Sequence, residues 1–141
     1  MIILDTNVVS ELMRAEPSPA VLSWVSAQDA TALSTTAVTV AEISYGIQRL
    51  PAGRRRQDIA AAASEVFDAF ASQILAFDRR AAELYATVVT DRERKGRPID
   101  GFDAQIAAIC RTSSAILATR NTVDFADTGL SVVNPWQAAS T

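Results

Sequence analysis

The chain has 141 residues, the usual size for one domain, and 49% of them are hydrophobic, enough for a substantial core. With 13 basic and 16 acidic residues the net charge is −3, so total charge gives no support for nucleic-acid binding, although local patches weigh more than the sum. Histidine is absent and Cys110 is the single cysteine, which removes His-based acid–base chemistry, His triads, most zinc sites and any disulfide frame. Chemistry is left to carboxylates, hydroxyls, amides and arginines; Lys95 is the sole lysine. A reducing cytoplasm fits this composition. No stretch is long enough to span a bilayer and no signal-like segment opens the chain, so a cytoplasmic protein without membrane contact is expected.

Ile2–Leu4 reads as a short buried strand, with a helix from about Asn7 to Arg14 behind it. Pro17 and Pro19 open a second helix carrying Val21, Leu22, Trp24 and Val25. Ala32–Thr35 is the next strand, and Thr39 starts a helix with the stripe Val40, Ile43, Ile47 and Leu50. "LPAG" breaks the chain before a long helix with Ile59, Ala63, Val66, Phe67 and Phe70 on one face. Ile74–Phe77 is a third strand, stopped by Asp78, and Arg79 to about Lys95 is helical. "KGRPIDG" is a turn, Phe102–Ser113 a helix and Ala115–Thr119 a fourth strand. Arg120–Gly129 is a loop or short helix, and Leu130–Pro135 gives the last strand. Short apolar strands alternating with helices predict an α/β fold, a mostly parallel sheet covered on both faces, in a single domain over residues 1–141.

In such sheets ligands bind beyond the carboxyl ends of the strands. Asp5 follows the first strand, Asp124 lies in the loop after the fourth, and Glu42 falls in the first turn of the helix after the second. The helix before the fourth strand must start at that same edge, which brings Asp103 there. Each acid also has a plain reading. Asp5 can be an N-cap, Thr39 with Glu42 a capping box, Asp100 with Asp103 a cap and its third residue, and Asp124 a solvated loop residue. Asp103 shares a helix face with Ile106, Ala107 and Cys110, so its carboxylate needs a partner. Four clustered acids repel one another unless a cation neutralises them. Without His or a thiolate cluster, that cation is hard and oxygen-loving, Mg²⁺ or Mn²⁺.

Four segments, "ILDTNVVSEL", "TVAEISYGIQRLPAGRRR", "RPIDGFDAQIAAI" and "LATRNTVDFADTGLSVVNPW", resemble in order and spacing a PIN-domain ribonuclease, with a likeness to the VapC and FitB toxins of bacterial toxin–antitoxin pairs. The family's four acidic positions match Asp5, Glu42, Asp103 and Asp124; Thr119 and Asn121 match supporting positions, and Thr6 and Asn7 occupy the opening turn. The resemblance implies a PIN-like three-layer fold and hydrolysis of RNA by a Mg²⁺-activated water. It also implies a cognate antitoxin that covers the toxin, a homodimer, and contact with DNA only through the antitoxin. The non-catalytic alternative is a PIN fold that only binds RNA or a partner protein.

Candidate phosphate contacts are Arg97 and Arg120, with Arg54–Arg56, Arg79, Arg80, Arg92, Arg94 and Lys95 as a wider basic set that reads equally well as solvated surface. Two other readings fail on the residues. A haloacid-dehalogenase-type phosphatase needs an acid two residues after Asp5, where Asn7 stands. A receiver domain needs a lysine after its fifth strand, and Lys95 precedes a turn.

Overall fold

The computed structural model describes residues 1–137. Among these, the chain runs β1 (Ile2–Leu4), α1 (Thr6–Leu12), α2 (Pro19–Ser26), β2 (Leu33–Thr36), α3 (Ala37–Gln48), α4 (Arg54–Ala69), β3 (Ile74–Leu75), α5 (Arg79–Arg94), α6 (Gly101–Thr112), β4 (Ile116–Ala118) and β5 (Val132–Val133). The five strands form one parallel sheet in the order β3-β2-β1-β4-β5. β1 is the central strand, with β2 on one side and β4 on the other, paired as Ile2↔Leu33 and Ile3↔Leu117. The sheet therefore changes winding direction beside β1, and a crevice opens at its carboxyl end, where Asp5 stands.

Alternation along the strands divides the core. Ile3 and Leu117 face a cluster with Ala81, Val88, Ile106 and Ile109 of α5 and α6. Leu4 and Ala118 face the other side, against Val8, Val21, Ile43 and Ala63 from α1 to α4. Each fully buried aliphatic side chain contributes about 1.5–3 kcal/mol, so both faces are needed to hold strands of two to four residues. Val9 is fully buried, and Leu12, Met13 and Trp24 pack against the second cluster. These residues belong mainly to the core. Among the described residues no helix is long and apolar enough to cross a membrane.

Several boundaries differ from the sequence reading, most by a residue or two. α3 begins at Ala37, because Thr36 is its N-cap and accepts the Thr39 amide at 3.1 Å. Thr39 is thus an internal helix residue, and Glu42 lies in the second turn rather than the first. The third and last strands keep only Ile74–Leu75 and Val132–Val133, since each is an edge strand with one pairing neighbour.

α5 ends where Gly96 adopts φ 69°, which lets the Arg97 amide reach back to the Arg92 carbonyl at 2.9 Å and the Gly96 amide to Glu93 at 3.0 Å. A side chain at this left-handed position is strained. Gly96→Ala is expected to lose about 1 kcal/mol in denaturant unfolding; an unchanged midpoint and slope would contradict this account of the turn.

Candidate active site

Asp5 is fixed before any ligand is considered. Its amide donates to the Ala118 carbonyl at 2.9 Å, which carries the β1–β4 pairing one residue past β1. Its Oδ1 accepts the Thr6 amide at 2.8 Å, so the side chain does cap α1. Its Oδ2 accepts the Thr119 hydroxyl at 2.7 Å and the Asn7 Nδ2 at 3.3 Å. Thr119 Oγ1 in turn accepts from Asn7 Nδ2 at 3.2 Å and from the Asn121 amide at 3.1 Å. Asn7 Oδ1 accepts the Arg120 amide at 3.1 Å. Thr6, Asn7, Thr119 and Asn121 thus surround Asp5, with Asn121 joining through its backbone. Burial nevertheless outweighs these donors and raises the Asp5 carboxyl above its usual range, with a smaller push from Asp124.

Glu42 reaches the same edge from α3, where its Oε1 accepts the Thr6 hydroxyl at 2.8 Å. Thr6 and Thr39 hydroxyls lie 3.1 Å apart, so Thr39 supports this contact. Partial burial, and then the charges of Asp5 and Asp100, raise Glu42. Asp103, half-buried in the first turn of α6, is pushed up to about 7 by burial first and then by Asp5, Asp100, Asp124 and Glu42. Asp124 sits exposed on a 3-10 turn, Thr122–Phe125, anchored by buried Phe125.

Charge ties the expected acids together through three of them: Asp103 feels Asp5, Glu42 and Asp124, Glu42 feels Asp5, and Asp5 feels Asp124. A fifth joins them. Asp100 caps α6, accepting the Phe102 amide at 2.9 Å, and its charge also raises Glu42 and Asp103. The cap read from the D-x-x-D spacing is present, and the charge that Asp100 adds to the site is a second role which that spacing does not distinguish.

Every ion pair among the described residues falls elsewhere, on Glu11, Glu83, Asp91 and Asp127. Neither Asp5, Glu42, Asp103 nor Asp124 is neutralised by a side-chain cation there. The donor set is entirely oxygen, which fits Mg²⁺ or Mn²⁺. Among the described residues no three acidic side chains converge closely enough to grip one ion together. A Mg²⁺ or Mn²⁺ ion at this edge would therefore take one or two carboxylates directly and keep several waters.

The basic candidates separate by environment. Arg97 is paired with Asp127 at 3.1 Å, and Arg120 is exposed with its guanidinium 4.7 Å over the Trp136 ring. Arg92 leaves the list of RNA contacts. It is buried, and its guanidinium donates to the Arg97, Asp124 and Ala126 carbonyls.

The raised Asp103 carboxyl gives a pH signature. Its protonated form favours the fold, so the contribution is full below about pH 3.8 and is lost as pH rises through about 7. In EDTA, the melting temperature is expected to fall between pH 5 and pH 8, and Asp103→Asn to fall less. An equal drop in both would show that Asp103 carries no such proton.

The PIN domain family model matches residues 2–129. The chain is 41% identical to the VapC ribonuclease Y4jK of Sinorhizobium fredii, over 99% of this chain and 100% of that protein. It is 34% identical to the toxin FitB of Neisseria gonorrhoeae, over 96% of this chain and 99% of that protein. Its fold superposes on a structure of FitAB bound to an IR36 DNA fragment with a TM-score of 0.91, at 33% identity, covering 99% of this chain and 98% of the other. Likeness over nearly the full length, together with an acidic crevice at the switch point of a parallel sheet, places this chain in the PIN domain family.

Proposed function

We propose that this chain is a metal-dependent endoribonuclease toxin, folded as one PIN-like domain, and that a cognate antitoxin inhibits it. The observation that carries the reading is the crowding of Asp5, Glu42, Asp103 and Asp124 without a side-chain cation beside them, sharpened by Asp103 at about 7. The named relatives, a VapC ribonuclease and the FitB toxin, support it. Asp5, Glu42, Asp103 and Asp124 would hold Mg²⁺ or Mn²⁺, some of them through water. When bound, the ion supplies an activated water and stabilises charge on the scissile phosphate.

The chain's own residues do the rest. Thr119, Thr6 and Asn7 hold the Asp5 oxygens in place, and Thr6 orients Glu42. Asp103 gives up its proton as the site is neutralised. Asp124 stands exposed at the rim. Hydrolysis by water needs no covalent intermediate, in keeping with the missing histidine and a cysteine whose thiol burial pushes far above its ordinary range. The products carry a 5′-phosphate and a 3′-hydroxyl.

A groove of about 740 Å³ runs beside the site, from Thr6 and Glu42 past Met13 and Ile47 to Ile59. Apolar walls that lead to a carboxylate suit an apolar segment ending in a cationic side chain. We assign this groove to the antitoxin, in line with the FitAB complex among the structural neighbours. Any DNA contact then runs through the antitoxin, and the toxin pairs as a homodimer. Gly46 lines the groove from inside α3, where an added Cβ would meet nothing within 4 Å.

Two experiments follow. Purified chain is mixed with RNA and Mg²⁺, with and without EDTA, beside an Asp5→Asn variant. Cleavage is expected only for the parent with metal, and a loss of at least about a hundredfold in the variant; equal RNA loss in all three would sink the nuclease reading. Gly46→Leu is expected to leave cleavage intact and to weaken neutralisation by the antitoxin about tenfold or more, on the scale of a side chain blocking an interface pocket. Undiminished neutralisation would remove the antitoxin from this groove.

A further inference from the structure

Arg92 is buried near the carboxyl end of α5, yet no carboxylate lies within ion-pair distance of it among the described residues. Burying an unpaired charge is costly unless its donors are satisfied. Here three backbone carbonyls satisfy them. The Nε donates to Arg97 at 2.6 Å, and one terminal nitrogen donates to both Asp124 and Ala126 at 2.8 Å. The Arg92 carbonyl also accepts the Arg97 amide at 2.9 Å, so this one residue holds the Arg97 segment through two bonds. That segment leads directly into Asp100 and Asp103. The Asp124 and Ala126 carbonyls flank buried Phe125 in the turn that carries Asp124. Arg92 shares a cavity of about 140 Å³ with Asp100, Asp103 and Asp124.

We propose that Arg92 is a positioning residue that fixes the spacing between the Asp103 helix and the Asp124 turn by clamping the backbone behind each. It touches no reacting atom. The planar guanidinium suits the task, because its fixed fork reaches two turns at once, where a lysine ammonium is a single point. The turn that carries Asp124 is held by Phe125 packing, by the Thr128 hydroxyl donating to the Phe125 carbonyl, and by this clamp, which alone of the three ties it to the Arg97 segment. The proposal rests on the nuclease reading in assigning a use to that spacing, and the clamp itself is measurable without it.

The test compares the full-length parent with Arg92→Met, which keeps stem length and loses every donor, and Arg92→Lys. Hydrogen exchange is followed along the chain, Mn²⁺ affinity is titrated with the metal alone, and RNA cleavage is resolved into kcat and KM. Arg92→Met is expected to exchange faster in residues 97–103 and 122–126 with other protected segments near parental. Its Mn²⁺ affinity should fall about tenfold or more, the scale seen when a ligand-supporting contact is lost. Its kcat should drop while KM for RNA holds, and Arg92→Lys should recover part of each loss. Parental exchange in both segments with parental Mn²⁺ affinity would overturn the proposal. Should Arg92→Met fail to fold, Arg92→Lys decides: weakened Mn²⁺ affinity at a near-parental melting temperature supports the clamp, and parental affinity overturns it. If the parent itself neither binds Mn²⁺ nor cleaves RNA, the nuclease reading falls, and exchange at the two segments alone decides the clamp.

Discussion

The hydrogen bond from the Thr119 hydroxyl to Asp5, at 2.7 Å, is the contact on which the site depends. It joins the carboxyl ends of β1 and β4, the neighbouring strands at the point where the sheet reverses its winding. A carboxylate this deeply buried would be expelled or neutralised without donors. Thr119, the Thr6 amide and Asn7 supply them, and the same Thr119 oxygen ties in Asn7 and the Asn121 amide. One small network thus does two jobs. It closes the strand ends, and it holds an acid at the crevice in one orientation.

The second constraint is repulsion. The charges of Asp5, Glu42, Asp100 and Asp124 raise the proton affinity of Asp103, those of Asp5 and Asp100 raise Glu42, and that of Asp124 raises Asp5. The fold softens this without cancelling it. Asp100 caps α6 and Asp103 lies in its first turn, where the helix dipole favours negative charge. Asp5 caps α1. Asp124 keeps its exposure. What is left over is a site that favours protons, and the divalent cation we propose there would compete with them, which links stability, pH and metal in one scheme. Arg92 belongs to the same balance from behind, since it fixes backbone and leaves the carboxylates unpaired.

The architecture was readable because its signals are local and agree. A continuous apolar run stopped by Asp5 gives β1 to the residue, and period-3.6 stripes give every α-helix of the described chain. Boundaries slipped where several residues could do the same job. Thr35, Thr36 and Thr39 are all plausible caps, and only the folded backbone selects Thr36. The four candidate acids are legible in the sequence as neighbours because sheet topology dictates which chain segments reach the ligand edge. Spacing gives Asp100 only its cap, since it cannot reveal that the charge of the same carboxylate also reaches Glu42 and Asp103. Arg92 was hidden in a basic run, "RERKGR", whose other members are exposed. Its burial follows from the Gly96 turn folding the chain back over the α5 end, a tertiary event with no sequence periodicity to announce it.

The most direct measurement of the central claim is anomalous diffraction from crystals of this chain grown with Mn²⁺. The account predicts an anomalous peak at the carboxyl end of β1, with one or two of Asp5, Glu42, Asp103 and Asp124 bound directly and the others reaching it through water. Crystals that show these acids with no ion between them at saturating Mn²⁺, or that place the ion elsewhere on the protein, would contradict it.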